Sequence, residues 1–306
     1  MSIAVGTLAA LALAGAARAD REITMDMIRT SLPVEGAPPA VPGPYRVVSQ
    51  PAFGSPGHVV FRPADLDAFP HEDSLPVMVW GNGGCAINST RYAGFFTTIA
   101  SHGFLVIATA AVEGAPRRQA TADDLRAALD WADAENARAG SPLRGKIATD
   151  KTAVMGQSCG GFLAIVVGGD PRVDTIGVFN AGVRPPVEET WDAPWPPTSA
   201  LADLHGPVLL VNGGDRDFML ESSEATYDMI DRLPVFYGAR HGAGHTATVD
   251  HPGGGEFANV ASSWLSWILK GDEEAGAMFL GRKCTLCADP SWDTRSKRLD
   301  AVRPPR

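Results

Sequence analysis

The chain is short of positive charge. Of its 306 residues, 26 are Lys or Arg and 35 are Asp or Glu, and the basic residues do not cluster. Binding to a phosphate backbone or to an anionic lipid surface relies on grouped cations, so this balance speaks against nucleic acid and acidic membranes as partners. Cysteine is scarce as well, with only Cys85, Cys159, Cys284 and Cys287. The Cys284-Thr-Leu-Cys287 step has the spacing of half a zinc site or of a redox pair. It lacks a second pair of ligands at zinc spacing, and no strand-to-helix redox context surrounds it. It therefore reads as a local structural disulfide, and neither metal nor cofactor is expected. Four cysteines allow three pairings. Internal repeats and low-complexity tracts are missing too, so the chain is not a solenoid, an array or a linker.

Only one apolar run approaches the length of a bilayer crossing. Residues 1–19, MSIAVGTLAALALAGAARA, end in Ala17-Arg18-Ala19, which has the small-x-small form of a signal-peptidase site before Asp20. The run is shorter than the ~20 apolar residues of a spanning helix, and it has no Lys or Arg ahead of it. A signal peptide over 1–19 is the expectation, with no membrane span after its removal. The mature chain would be secreted or periplasmic, a compartment that allows disulfides. Losing Arg18 leaves 25 basic against 35 acidic residues, moving the formal charge from −9 to −10.

Residues 20–55 are rich in Pro, Gly and Ala and read as an irregular leader with an edge strand near 45–48. From residue 56 to 306 apolar runs alternate with helical patterns, as expected of a single catalytic domain. Strands are predicted near 58–62, 77–81, 104–109, 152–157, 175–180, 207–212 and 234–239, forming a mostly parallel central sheet with helices on both faces. Leu125, Ala128, Leu129 and Ala132 recur at helical spacing after Thr121, and Phe257, Val260, Ala261, Trp264, Leu265 and Ile268 do so before Gly271. The connection 183–206 carries five prolines with Trp191 and Trp195. It is a short crossover loop in place of a large lid, whose tryptophans either line a substrate pocket or pack the loop down.

Gly156-Gln-Ser-Cys-Gly160 sits between the apolar run Ala153-Val-Met155 and the apolar stretch that begins at Gly161. Strand, G-x-S-x-G turn and buried helix in that order resemble the nucleophile elbow of α/β-hydrolases, which makes Ser158 the candidate nucleophile. Its glycines keep side chains out of a strained turn. A serine hydroxyl needs a histidine to take its proton and a carboxylate to orient that histidine. In this fold the chain order is Ser, acid, His.

The acid belongs in Gly213-Gly-Asp-Arg-Asp217, at the carboxyl end of a predicted strand. A Gly-x-x-Asp spacing from Gly214 favours Asp217 over Asp215. Three histidines follow, His241, His245 and His251. His245 has small neighbours that let an imidazole approach the elbow, whereas His241 ends a strand and His251 precedes Pro252 in an extended, exposed setting.

The oxyanion hole is expected to combine the backbone N–H of Cys159 with one from Gly81-Asn-Gly-Gly-Cys85, Asn82 first and Gly83 second. Cys85 and Cys159 then flank the hole from its two walls, and a bridge between them would hold the donors at fixed separation. Such a bridge requires Cα atoms about 4.4 to 6.8 Å apart.

Trp80-Gly-Asn-Gly-Gly-Cys85, Ala100-Ser-His-Gly-Phe-Leu-Val-Ile107 and Met155-Gly-Gln-Ser-Cys-Gly-Gly161 together resemble the secreted α/β-hydrolases of the cutinase, polyester hydrolase and dienelactone hydrolase group. The resemblance covers residues 56–295 and includes Gly244-His-Thr246. It implies Ser158, Asp217 and His245 as triad by position, and Asn82 as the residue after the loop glycine. The elbow departs from the His-Ser-Met usual in polyester hydrolases, carrying Gln157 and Cys159. A dienelactone hydrolase would carry a cysteine where Ser158 stands. The activity implied is ester hydrolysis through an acyl-enzyme, without polyester, cutin or feruloyl specificity; a monomer acting on small-molecule or polymeric esters, aromatic ones among them, is the expectation. A peptidase or acyltransferase with the same triad, or an inactive binding protein on this scaffold, are the alternatives.

Overall fold

Leu75–Gly81, Leu105–Thr109 and Val208–Gly213 are apolar at nearly every position, and in a computed structural model all three are strands buried on both faces. Unbroken apolar strands of this kind are those of a parallel sheet covered on each side. The structure describes residues 34–67, 69, 74–183 and 194–303. The expected signal peptide and Trp191 lie outside them.

Nine strands form one sheet: β1 (Val47–Ala52), β2 (Ser55–Pro63), β3 (Leu75–Gly81), β4 (Leu105–Thr109), β5 (Ile147–Gln157), β6 (Thr175–Phe179), β7 (Val208–Gly213), β8 (Val235–Arg240) and β9 (Trp292–Lys297). The order is β1-β2-β4-β3-β5-β6-β7-β8-β9. Strands β3 to β8 pair in parallel, while β1, β2 and β9 join antiparallel at the two sides. Adjacent residues along a strand serve opposite faces. Val77, Val79, Leu105 and Ile107 pack toward one core and Met78, Trp80, Val106 and Ala108 toward the other.

The first core is covered by α2 (Ala122–Ala137) and α3 (Cys159–Val167). The second is covered by α1 (Ala93–Ser101) and α7 (Gly255–Lys270). Between them come the short α4 (Ala200–Asp203), α5 (Leu220–Met229) and α6 (Ala247–Asp250), and after them α8 (Glu273–Gly276) and α9 (Thr285–Ala288). Both helices identified by periodicity are present, and α7 ends at Gly271 as expected. None of the helices among the described residues is long and apolar enough to cross a membrane.

Two strands differ from the sequence reading. Within the stretch read as an irregular leader, Val47–Ala52 forms the whole of β1, paired to β2 and bulged between Pro51 and Ala52. Strand β9 gives no sequence signal at all, because only Trp292 of Trp-Asp-Thr-Arg-Ser-Lys is buried. Polar side chains and proline are how sheet edges avoid further pairing, and they erase the alternation by which a strand is recognised.

Candidate active site

Strand β5 runs into α3 through Ser158, whose φ of 54° lies where non-glycine residues are rarely found. The turn is held by Ser158 N–H donating to Phe179 O (2.8 Å) and by Gly161 N–H donating to Ser158 O (2.7 Å). Gly160 is required by close approach: a Cβ there would lie 2.0 Å from Gly81 O and 2.7 Å from Asn82 N. The elbow and the loop after β3 are thus in backbone contact.

Ser158, Asp217 and His245, remote in the chain, converge at the carboxyl ends of β5, β7 and β8. Ser158 Oγ is 2.9 Å from His245 Nε2, and His245 Nδ1 is 2.9 Å from Asp217 Oδ1. An ionised carboxylate only accepts, so Nδ1 carries the proton toward Asp217 and Nε2 is left to accept from the serine hydroxyl. All three side chains are buried. Asp215 is exposed one turn away, His241 faces Asp293 at the surface, and His251 accepts from Val34 N–H. His251 is buried, in contrast to the exposed setting read from the sequence, because residues before β1 fold back over it.

The Asp217 carboxylate accepts four hydrogen bonds. Oδ1 takes those of Met219 N–H (3.0 Å) and His245, and Oδ2 takes those of Asn180 Nδ2 (2.7 Å) and Gly213 N–H (3.2 Å). Asn180 follows β6 with φ of 52°, and its side-chain Oδ1 accepts from Thr248 Oγ1 (3.1 Å). The Phe218 ring lies over the imidazole, with centroids 4.0 Å apart. The sequence reading did not identify Asn180 or Phe218. The one available sign for Asn180 was its place at the carboxyl end of a central strand, where α/β sheets gather their functional groups.

On the other wall, the Asn82 side chain is buried, donating to Ala86 O (2.7 Å) and Ser89 Oγ (2.8 Å). Gly83 N–H donates to Tyr92 Oη (2.8 Å) and is therefore engaged. Outside the helix and strand ladders, neither the N–H of Asn82 nor that of Cys159 donates to another backbone group of the described residues. Of the two loop donors left open by the sequence, Gly83 is the one whose amide is taken by a side chain.

Cys85 and Cys159 are joined by a disulfide with Cα atoms 5.1 Å apart, and Cys284 and Cys287 by a second with 4.9 Å. Beside the loop, Ser89 and Thr109 also border a cleft of about 350 Å³, floored by Val59 and Phe61 and rimmed by Asn88 and Thr90. Trp195 is half-buried, 4.4 Å between centroids from Phe162 on α3. No group of three or more His, Cys, Asp or Glu that could hold a metal occurs among the described residues.

The sheet, the elbow at its centre and the residues converging above it define an α/β hydrolase. A family model described as PET hydrolase-like matches residues 39–291, and the chain belongs to that family. No curated protein matches the chain significantly.

Proposed function

We propose that the protein is a serine carboxylic ester hydrolase working through an acyl-enzyme, with aromatic or polymeric esters as its substrate class. Ser158 Oγ attacks the ester carbonyl while His245 Nε2 takes its proton. His245 then gives that proton to the leaving alcohol, and a water activated by the same nitrogen releases the acid. Asp217 keeps the imidazole in the required tautomer and stabilises it when charged. The N–H groups of Asn82 and Cys159 receive the oxyanion, each such donor being worth about 3 kcal/mol in the transition state.

The observation that carries this reading is the continuous pair of 2.9 Å contacts from Ser158 Oγ through His245 to Asp217. The family description supports the ester bond. We also propose that residues 1–19 direct export and that the mature monomer works in the periplasm or outside the cell, in keeping with its two disulfides.

A fluorophosphonate probe and a panel of p-nitrophenyl esters, run beside a polyester film, test the proposal. Ser158→Ala is expected to abolish labelling and to lower kcat by about 10⁴-fold or more. Labelling that survives in Ser158→Ala would move the nucleophile elsewhere. A wild-type protein that neither labels nor turns over would favour the binding-protein alternative, and transfer to an added alcohol or amine in preference to water would favour an acyltransferase.

A further inference from the structure

A buried hydrogen-bond chain that includes none of the three reacting side chains connects the two walls of the site. Gly83 N–H donates to Tyr92 Oη, Tyr92 Oη–H donates to Gln157 Oε1, and Gln157 Nε2–H donates to the backbone carbonyl of His245, each at 2.8 Å. The directions are fixed by the ends. An amide N–H only donates and a backbone carbonyl only accepts, so the phenol must give its proton to the glutamine oxygen.

Tyr92 and Gln157 are both buried. Burial pushes the Tyr92 phenol up to about 12, which keeps it a donor throughout the neutral and mildly alkaline range. Gly83 is shaped to this chain, since a Cβ there would lie 2.1 Å from Gln157 Oε1 and 2.8 Å from Tyr92 Oη. The Gln157 amide makes structural contacts to both walls and does not open to the cleft.

We propose that Tyr92 and Gln157 are positioning residues: their relay fixes the Asn82 amide in the oxyanion hole and couples it to the backbone that carries His245. The proposal rests on the ester hydrolase reading. The hydrogen bond to Tyr92 holds Gly83 N–H away from the reacting oxygen and so sets the orientation of the peptide before it, at Asn82. The bond from Gln157 holds the residue that bears the base. Acid–base group and oxyanion donor then keep one separation as charge develops, which is the preorganisation that such a site requires.

Tyr92 also packs against Trp80 and Phe96, so loss of stability alone would not distinguish positioning from packing. The test therefore compares Tyr92→Phe, Gln157→Leu and the double variant by kcat and KM on a soluble p-nitrophenyl ester. Sites are counted by fluorophosphonate titration, so that unfolded protein does not enter the rate. Each single variant is expected to lose about tenfold in kcat with KM changed less than about twofold. Because both lie on one chain, the double variant is expected to lose little more than either single one.

Unchanged kcat per titrated site, or losses that multiply to about a hundredfold in the double variant, would overturn the relay. If those variants do not fold, the isosteric Gln157→Glu, read at alkaline pH where the carboxyl is ionised, keeps an acceptor for Tyr92 and removes the donor to His245. It is expected to show the same loss in kcat, and wild-type kcat there overturns the coupling. A wild-type protein that neither labels nor turns over defeats the ester hydrolase reading itself, a result separate from any behaviour of these variants.

Discussion

Cys85–Cys159 joins residues 74 apart with both sulfurs inside the protein, whereas Cys284–Cys287 joins residues three apart and leaves Cys287 at the surface. The first links the loop after β3 to the residue that follows Ser158. The second closes a step between α8 and β9 on the side of the sheet covered by α7, away from the elbow. A cross-link stabilises chiefly by what it denies the unfolded chain, and that denial grows with the closed loop. The same bond type therefore has two different consequences here. One constrains a quarter of the chain and the geometry of a site, and the other constrains a turn.

Removing the long bridge is the largest test of that contrast. The Cys85→Ser, Cys159→Ser double variant is expected to lose about 4 kcal/mol of stability by the loop-length relation, read from urea unfolding. Its kcat is expected to fall about tenfold as well, because the Cys159 amide and the Asn82 loop lose their covalent spacing. Loss of stability with kcat unchanged would show that the Gly81 and Gly160 backbone contact suffices to hold the hole. A mass map with both thiols free in the wild type would remove the clamp altogether.

The short bridge supplies the opposing case. Replacing Cys284 and Cys287 by Ser is expected to lower stability by about 2 kcal/mol and to leave kcat unchanged. Graded dithiothreitol sharpens the comparison further. Thiolate attack needs access to a sulfur, so the exposed Cys287 is expected to open first with activity retained, and activity to fall only when the buried pair opens. A single step in which both bridges and activity are lost together would mean that reduction follows global unfolding.

Legibility in the sequence follows the same division between centre and rim. The interior strands β3 to β8 were readable because burial on both faces demands unbroken apolar runs, and the glycines around Ser158 were readable because a strained turn against another backbone tolerates nothing larger. Asp217 and His245 could be located from chain order and spacing. Strand β9 was silent because an edge strand is polar by necessity, and β1 was blurred by Pro51 at its bulge. Asn180, Phe218, Tyr92 and Gln157 reach the site through contacts between segments up to 88 residues apart, such as Gln157 with His245. No local pattern encodes such contacts. Gln157, inside the motif, has partners 65 and 88 residues away that the motif does not name.

The smallest effect is expected where the loop after β3 is supported from outside by polar contacts. Ala120 N–H donates to Cys85 O (2.7 Å), and Ala86 bridges Gln119, so the segment entering α2 braces the loop. That segment ends in a capping box. The Asp124 carboxylate accepts from Thr121 N–H (2.8 Å) and pairs with Arg118 (2.6 Å). The hydrogen bond from Arg118, with those from Thr121, holds the Asp124 carboxyl below the ordinary carboxylate range.

A depressed folded-state value means that the stabilisation is complete above the unfolded value of ~4 and is lost as pH falls through the folded one. Asp124→Asn is therefore expected to cost about 1 kcal/mol at pH 7, a figure discounted for the solvent around the pair. The difference between variant and wild type is expected to narrow as pH drops below ~4, with kcat at pH 7 unaffected. A fall in kcat there would show that the brace reaches Asn82 despite the covalent clamp, and that the buried bridge alone does not fix the loop.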